Sequence, residues 1–271
     1  FFNKEFWKYA LGFNIPLLAY YLSQVVFNQS DRIMISHITS TSDAAMYGVA
    51  YNLAMILTFV LNAINGSYVP WLYGKIKKNN AQDNKSISLI LIMLMGLIIL
   101  CVIWYAPEII LIMAGKQYSV AIYVVAPVSM SLLLLFYSQL FINIEFYYEE
   151  KKMLVYGSIG AAVLNIILNG LLIPIFGFVA AGYTTLISYI VFALSNYYTM
   201  RLMLKKRKLD DDMYDYKLLL LLFVAFMISG FLGVALYGNL ILRILITLVV
   251  FGLLVINKNK FIDALKKIKE R

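Results

Sequence analysis

Cysteine and histidine occur once each in this 271-residue chain, as Cys101 and His37, and proline occurs five times. One Cys and one His cannot build a metal cluster, so no metal site is expected, and Cys101, inside an apolar run, reads as an ordinary buried thiol. His37 reads as a solvated residue of an external loop rather than a pH sensor. Charge is scarce too, since only 14% of residues are Asp, Glu, Lys or Arg. Acid–base enzymes need carboxylates converging in a pocket. Glu149-Glu150 and Asp210-Asp211-Asp212 instead stand in polar loops beside lysines, as solvated charge balance. Gly74-Lys75-Ile76 and Gly115-Lys116-Gln117 do not complete a phosphate loop, so neither an ATP site nor any other cofactor is expected. The period-2 alternation of a membrane barrel is also missing.

What is present is apolar length. Hydrophobic residues make up 62% of the chain, far above a soluble domain. They recur in runs of about 20 residues, matched to a bilayer core of roughly 30 Å. The expected fold is an all-α polytopic membrane protein with eight spans, near residues 9–35, 44–68, 87–105, 120–144, 154–173, 179–202, 217–237 and 239–257. Lys and Arg test that list, because they should crowd cytoplasmic loops. All but three of the 23 fall at one end of the spans, leaving Arg32, Lys116 and Arg243 on the other side. Both termini of the chain are therefore expected in the cytoplasm, and the net charge of +9 reflects topology rather than nucleic-acid binding.

Residues 1–204 read as a six-helix transporter lobe, 205–216 as a cytoplasmic linker, 217–257 as two further spans and 258–271 as a basic tail. In that tail Phe261, Ile262, Leu265 and Ile268 share one helical face, which suits either a helix on the inner leaflet or a solvated end. The chain opens with Phe1 and no leader pattern, so it reads as part of a longer protein.

Polar side chains at membrane depth must find water or a partner, which makes them candidate functional residues. The first span carries Asn14, Pro16, Gln24, Asn28, Ser30, Asp31 and Arg32. Asn28 and Arg32, four apart, share a face. Asp31 with Arg32 reads either as a functional pair or as an interfacial ion pair. The second span adds Tyr51, Asn52, Asn62 and Asn65, and the fourth adds Ser129, Ser131, Tyr137, Ser138, Gln139, Asn143 and Glu145. Glu145 is either an ion-coupling residue or a surface partner of Lys151 or Lys152. Pro127 is expected to kink the fourth span. Asn165 and Asn169 read as interhelical packing amides, followed by a turn in which Pro174 ends the helix and Gly177 relieves the backbone. Gly157, Ala161 and Ala162 suit close packing. Amides and tyrosines, which bind sugars through donors, acceptors and ring faces, outnumber the charges.

Three stretches resemble a known pattern. SDRIMISHITSTSDAAMYGVAYNLAMIL, residues 30–57, is similar to the helix end and helix start of bacterial polysaccharide exporters. PEIILIMAGKQYSVAIYVVAP, residues 107–127, resembles their external half-helix. LNIILNGLLIPIFG, residues 164–177, resembles their Leu-Asn-x-x-Leu-Asn-x-x-Leu-Ile-Pro-x-x-Gly hairpin. Met46 stands where Gly is common, and Ala180 and Gly182 are exchanged. The family is the Wzx-like O-antigen flippase branch of the multidrug/oligosaccharidyl-lipid/polysaccharide exporter superfamily. The resemblance implies two lobes of six helices with a central cavity, of which this chain is the second, plus two trailing helices. It also implies a non-enzymatic flippase of polyprenyl-diphosphate-linked oligosaccharide in the bacterial inner membrane. Its partners would be the lipid-linked substrate, membrane lipids, the absent first lobe, and glycan polymerase or chain-length proteins, with no nucleic acid. Arg32 would meet the diphosphate, oriented by Asn28 and Asp31. Asn52, Asn62, Tyr137, Gln139 and Asn143 would meet sugars, and Asp31 or Glu145 would bind a coupling ion. A cation-coupled multidrug antiporter is the rival of the same superfamily, and a glycan polymerase or ligase the enzyme rival, though no external loop is long enough for its catalytic domain.

Overall fold

The computed structural model describes residues 3–78, 80–150, 152–209 and 212–256. The protein is about 90% helical, and the described residues form no strand. Among the described residues nine α-helices follow in order: α1 (Lys4–Ile38), α2 (Thr41–Lys77), α3 (Asn84–Trp104), α4 (Ala106–Met113), α5 (Ile122–Tyr147), α6 (Lys152–Phe176), α7 (Val179–Lys206), α8 (Tyr216–Ala235) and α9 (Leu240–Ile256). Short 3-10 turns cover Ala81–Asp83 and Lys116–Ala121. Helices α2, α3, α5, α6, α7 and α8 are long and apolar enough to cross a membrane. Every expected span has its helix. The first and last, α1 and α9, are respectively more polar and, at 17 residues, shorter than those six. The protein is a multi-pass membrane protein.

Local chemistry sets the helix starts. Asn3 Oδ1 accepts from the backbone N–H groups of Glu5 and Phe6 at 3.0 and 3.2 Å. Ser40 Oγ accepts from Asp43 N at 3.0 Å, Asp215 Oδ1 from Leu218 N at 3.1 Å, and Asn239 Oδ1 from Leu242 N at 3.1 Å. Each small polar residue satisfies donors that a helix leaves orphaned at its first turn. At the other end of α6, Gly177 adopts φ +71° and its N–H closes on Ile173 O at 2.9 Å, a left-handed cap suited to glycine. Pro174 does not end α6 as expected. It lies inside the helix, which runs two residues further. Pro127 likewise sits inside α5, which runs unbroken from Ile122.

The chain divides into two compact units. One comprises the described residues of Phe1–Tyr47 and Tyr137–Leu209, and the other those of Gly48–Phe136 and Asp210–Arg271. In the first unit α6 packs along both α7 and α1. Phe27 meets Tyr189 with ring centroids 4.7 Å apart, and Ala161 and Ala162 are buried at the tight part of α6. In the second unit α8 packs along α3. Gly233 allows this approach: a Cβ there would lie 2.1 Å from the Trp104 ring, whose Nε1 donates to Ser229 O at 3.0 Å.

Two expectations about single residues are corrected. Cys101 is exposed on α3 rather than buried, because the side of α3 that packs on α8 carries the buried residues. His37 is exposed as expected but belongs to the last turn of α1 rather than a loop, its Nδ1 lying 2.9 Å from Ile33 O. Of the expected 205–216 linker, Lys205 and Lys206 belong to α7 and Tyr216 to α8, and the described connection between them is 207–209 and 212–215. Met213 and Tyr214 are buried within the second unit, where Asn84 Nδ2 donates to Met213 O at 3.1 Å and Asn84 Oδ1 accepts from Tyr68 Oη at 2.7 Å. Burial pushes the Tyr214 phenol up from its ordinary range. Lys85 pairs with Asp212, while Asp210, Asp211, Lys151 and the 258–271 tail lie outside the described residues.

Candidate functional site

The first unit is centred on a buried carboxylate. Asp31 of α1 is 0% exposed. Its Oδ2 accepts from Tyr47 Oη of α2 at 2.5 Å and from Thr185 Oγ1 of α7 at 2.7 Å, and its Oδ1 accepts from Asn169 Nδ2 of α6 at 2.6 Å. Four helices therefore meet at one side chain. The donors are themselves held. Asn165 Nδ2 donates to Thr185 Oγ1 at 3.1 Å and Asn165 Oδ1 accepts from Ser30 Oγ at 3.2 Å, while Thr184 donates to Asn169 Oδ1. Asn165 and Asn169 act as the packing amides expected of them. Hydrogen bonds of this kind between membrane helices contribute about 0.6 kcal/mol on average and up to ~2 each. The carboxylate's partners among the described residues are all neutral, so Asp31 is a point of helix assembly rather than half of an interfacial ion pair.

The other sequence-predicted residues distribute unevenly. Asn28 and Arg32 stand half-buried on α1, and Gln24 continues the same face one turn earlier. Gln24 Nε2 is buried and makes no hydrogen bond among the described residues. Tyr137 and Asn143 are buried on α5, with Gln139 half-buried between them. Asn52 and Asn62 belong to the second unit, where both are exposed on α2.

Glu145 is not at a surface. It is 1% exposed on α5, and Thr199 of α7 donates to its Oε1. The side chains of Lys151 and Lys152, its expected partners, lie outside the described residues.

A second charged cluster was not expected from the sequence. Arg243, counted only among the external charges, is 2% exposed near the start of α9. Its Nη1 and Nη2 reach Glu108 Oε2 and Oε1 at 2.8 and 2.7 Å, a bidentate fork. It also donates to Trp104 O and, at 3.3 Å, to Tyr237 O. The guanidinium holds the Glu108 carboxyl below the usual carboxylate range. Tyr47, Thr184, Thr185 and Thr199 were also unassigned by sequence reasoning. Tyr47 lies in the 30–57 motif and the threonines interrupt an apolar helix, which is the signal that points to them.

Residues 1–74 match the family of polysaccharide biosynthesis proteins. A protein of the Lsg locus of Haemophilus influenzae is 27% identical over 167 residues, 58% of this chain and 40% of its own length. Thus the chain spans about two fifths of that relative. Both matches fit the Wzx-like resemblance drawn from the motifs, and the family match covers α1 with its Asp31 cluster residues and nearly all of α2. No solved structure matches the chain.

Proposed function

We propose that the protein is a transporter rather than an enzyme, a flippase that carries lipid-linked oligosaccharide units across the bacterial cytoplasmic membrane by alternating access. The observation that carries this reading is the polysaccharide biosynthesis match over α1 and α2. The α1 face supports it, because Gln24, Asn28 and Arg32 offer amide and guanidinium donors one turn apart in a membrane helix. Such a stripe suits an anionic, hydroxyl-rich solute: the guanidinium takes phosphate oxygens in a fork and the amides both donate and accept. In this reading Arg32 meets the carrier diphosphate and Asn28 flanks it. Asn52, Asn62, Tyr137, Gln139 and Asn143 contact sugar, with the remaining wall supplied by the part of the protein outside this chain. In this reading both ends of the chain lie in the cytoplasm, which the crowding of lysines at one end of the spans supports. Glycan polymerase and chain-length proteins would receive the product.

The test is complementation of a strain lacking its own flippase with the full-length protein, measuring surface glycan and inner-leaflet lipid-linked intermediate. Wild type is expected to restore surface glycan and Arg32→Ala to abolish the rescue while the intermediate accumulates. Undiminished export by Arg32→Ala would remove that residue from the substrate path. The buried carboxylates Asp31 and Glu145 favour one second reading, a cation-coupled multidrug antiporter. Resistance to cationic drugs without glycan rescue would establish it in place of the first.

A further inference from the structure

The first unit buries two carboxylates, and they are solvated differently. Every hydrogen bond to Asp31 comes from a donor already committed to it: the Tyr47 and Thr185 hydroxyls and the Asn169 amide. Asn169 Nδ2 cannot turn round and accept, and Thr185 Oγ1 already accepts from Asn165. Three donors from three helices thus already stabilise the ionised form of Asp31.

Glu145 differs in three respects. Among the described residues it has a single donor, the Thr199 hydroxyl, at Oε1. Its Oε2 is buried and has no partner among the described residues. Thr199 Oγ1 also lies 3.1 Å from the carbonyl oxygen of Asn196, one turn earlier on α7. A hydroxyl has one proton to give and can accept as well. With Glu145 ionised, Thr199 donates to Oε1. With Glu145 protonated, the new Oε1–H donates to Thr199 Oγ1 while the Thr199 proton turns to Asn196 O. The Glu145–Thr199 hydrogen bond is kept in both states with its direction reversed, and protonation frees the Thr199 proton for a second bond, to Asn196 O. The unpartnered Oε2 then belongs to a neutral acid, which costs far less to bury than a carboxylate oxygen. Asn196 Oδ1 is a further buried acceptor with no donor among the described residues, while Asn196 Nδ2 donates to Phe192 O at 2.8 Å. A site short of donors and rich in acceptors is suited to receiving a proton.

We infer that Glu145, Thr199 and Asn196 form a proton-binding site between α5 and α7, in which one proton from water adds to Glu145 Oε1 and later returns to water. The charged groups around it lie toward the ends of the same helices. Glu150 follows α5 and stands 3.9 Å from Arg207. On α7 Arg201 Nη1 donates to Tyr197 Oη at 2.9 Å, and Lys205 and Lys206 occupy the last turn. Tyr147 ends α5, and the O of Tyr148, which follows it, accepts from Arg207 at 2.9 Å. As the coupling ion of a transport cycle the proton rests on the transporter reading, whereas its binding at Glu145 does not.

The experiment is pH-titrated infrared difference spectroscopy of the full-length protein in lipid, reading the carbonyl stretch of a protonated carboxylic acid. Wild type is expected to show a titrating carboxylic-acid band that Glu145→Gln removes and Asp31→Asn leaves in place. Glu145→Asp provides a second check that does not depend on the folding of Glu145→Gln: it keeps a carboxyl and is expected to shift the band. No titrating band in wild type, or a band unchanged in both Glu145 variants, overturns the inference. A band abolished by sodium chloride at constant pH also overturns it, assigning the site to a metal cation instead. These readouts do not involve glycan, so loss of the flippase reading and loss of the proton site are separable results.

Discussion

The two units hold their helices together by opposite means. In the first, one carboxylate is surrounded by neutral amides and hydroxyls from four helices, and no cation takes part among the described residues. In the second, the outer corner is held by an ion pair, Arg243 with Glu108, which ties the start of α9 to the short helix α4. Burial explains the contrast. Asp31 is 0% exposed and deep in α1, where distributed hydrogen bonds from fixed donors disperse its charge. Glu108 is 33% exposed, so its ionised form is already part-solvated and needs a single cation to complete the pair. A polar residue at the middle of a membrane bundle is thus worth most as a hub, and one at the rim as a clasp.

That comparison breaks first at the hub. Asp31→Leu removes the acceptor from three donors at once, and each buried donor left unsatisfied costs about 1–3 kcal/mol. Loss of the folded first unit, or destabilisation of several kcal/mol, is expected in denaturant titration in detergent. A change no larger than that of a surface substitution would show that the cluster does not assemble the helices. The clasp is expected to be weaker. Arg243→Met should cost about 1.5 kcal/mol, the low end for hydrogen bonds to charged groups, because Glu108 is partly in solvent.

The clasp also carries a pH signature that follows from linkage. Glu108 has a lowered folded-state pKa, so its contribution is complete above its unfolded value of about 4.3 and disappears as pH falls through the folded value. The stability difference between wild type and Glu108→Gln should therefore be constant at neutral pH and shrink only below about pH 4.3. A difference that grows on acidification would reverse the sign assigned here. The smallest effect is expected at the linker. Lys85 and Asp212 remain 35% and 48% exposed, so Lys85→Ala should change stability by about 0.2–1 kcal/mol, less so in high salt. A larger loss would make the linker a third clasp.

Much of the architecture was legible in advance. Run length located every long helix, because the match between about 20 apolar residues and the bilayer is a property of the segment alone. Caps at Asn3, Ser40, Asp215 and Asn239 and the turn at Gly177 are equally local. Asn165 and Asn169 were readable as packing amides because four-residue spacing places them on one face. Their partners were not. Thr185 is 154 residues from Asp31 and Asn169 is 138 away, and nothing in either segment states which helix it will face. Arg243 shows the same limit from the other side. As one cation near a span end it was indistinguishable from a solvated charge, until α4 and α9 brought a carboxylate and two carbonyls around it. Glu145 was misplaced at the surface for a related reason, since proximity in sequence to Lys151 and Lys152 outweighed a hydroxyl on α7 that the sequence does not mark as near.

Sequence by itself determined that this is an all-α membrane protein with helices of given lengths and a strong bias of positive charge to one side. Those properties depend on segment composition against bilayer thickness and on local backbone chemistry. Tertiary structure alone decided that Asp31 is a hub joining four helices, Glu145 a buried carboxyl met by a hydroxyl of α7 and Arg243 a buried clasp. The character of a buried ionisable group is set by the donors, acceptors and solvent within hydrogen-bonding distance, and here distant segments of the chain bring those neighbours in.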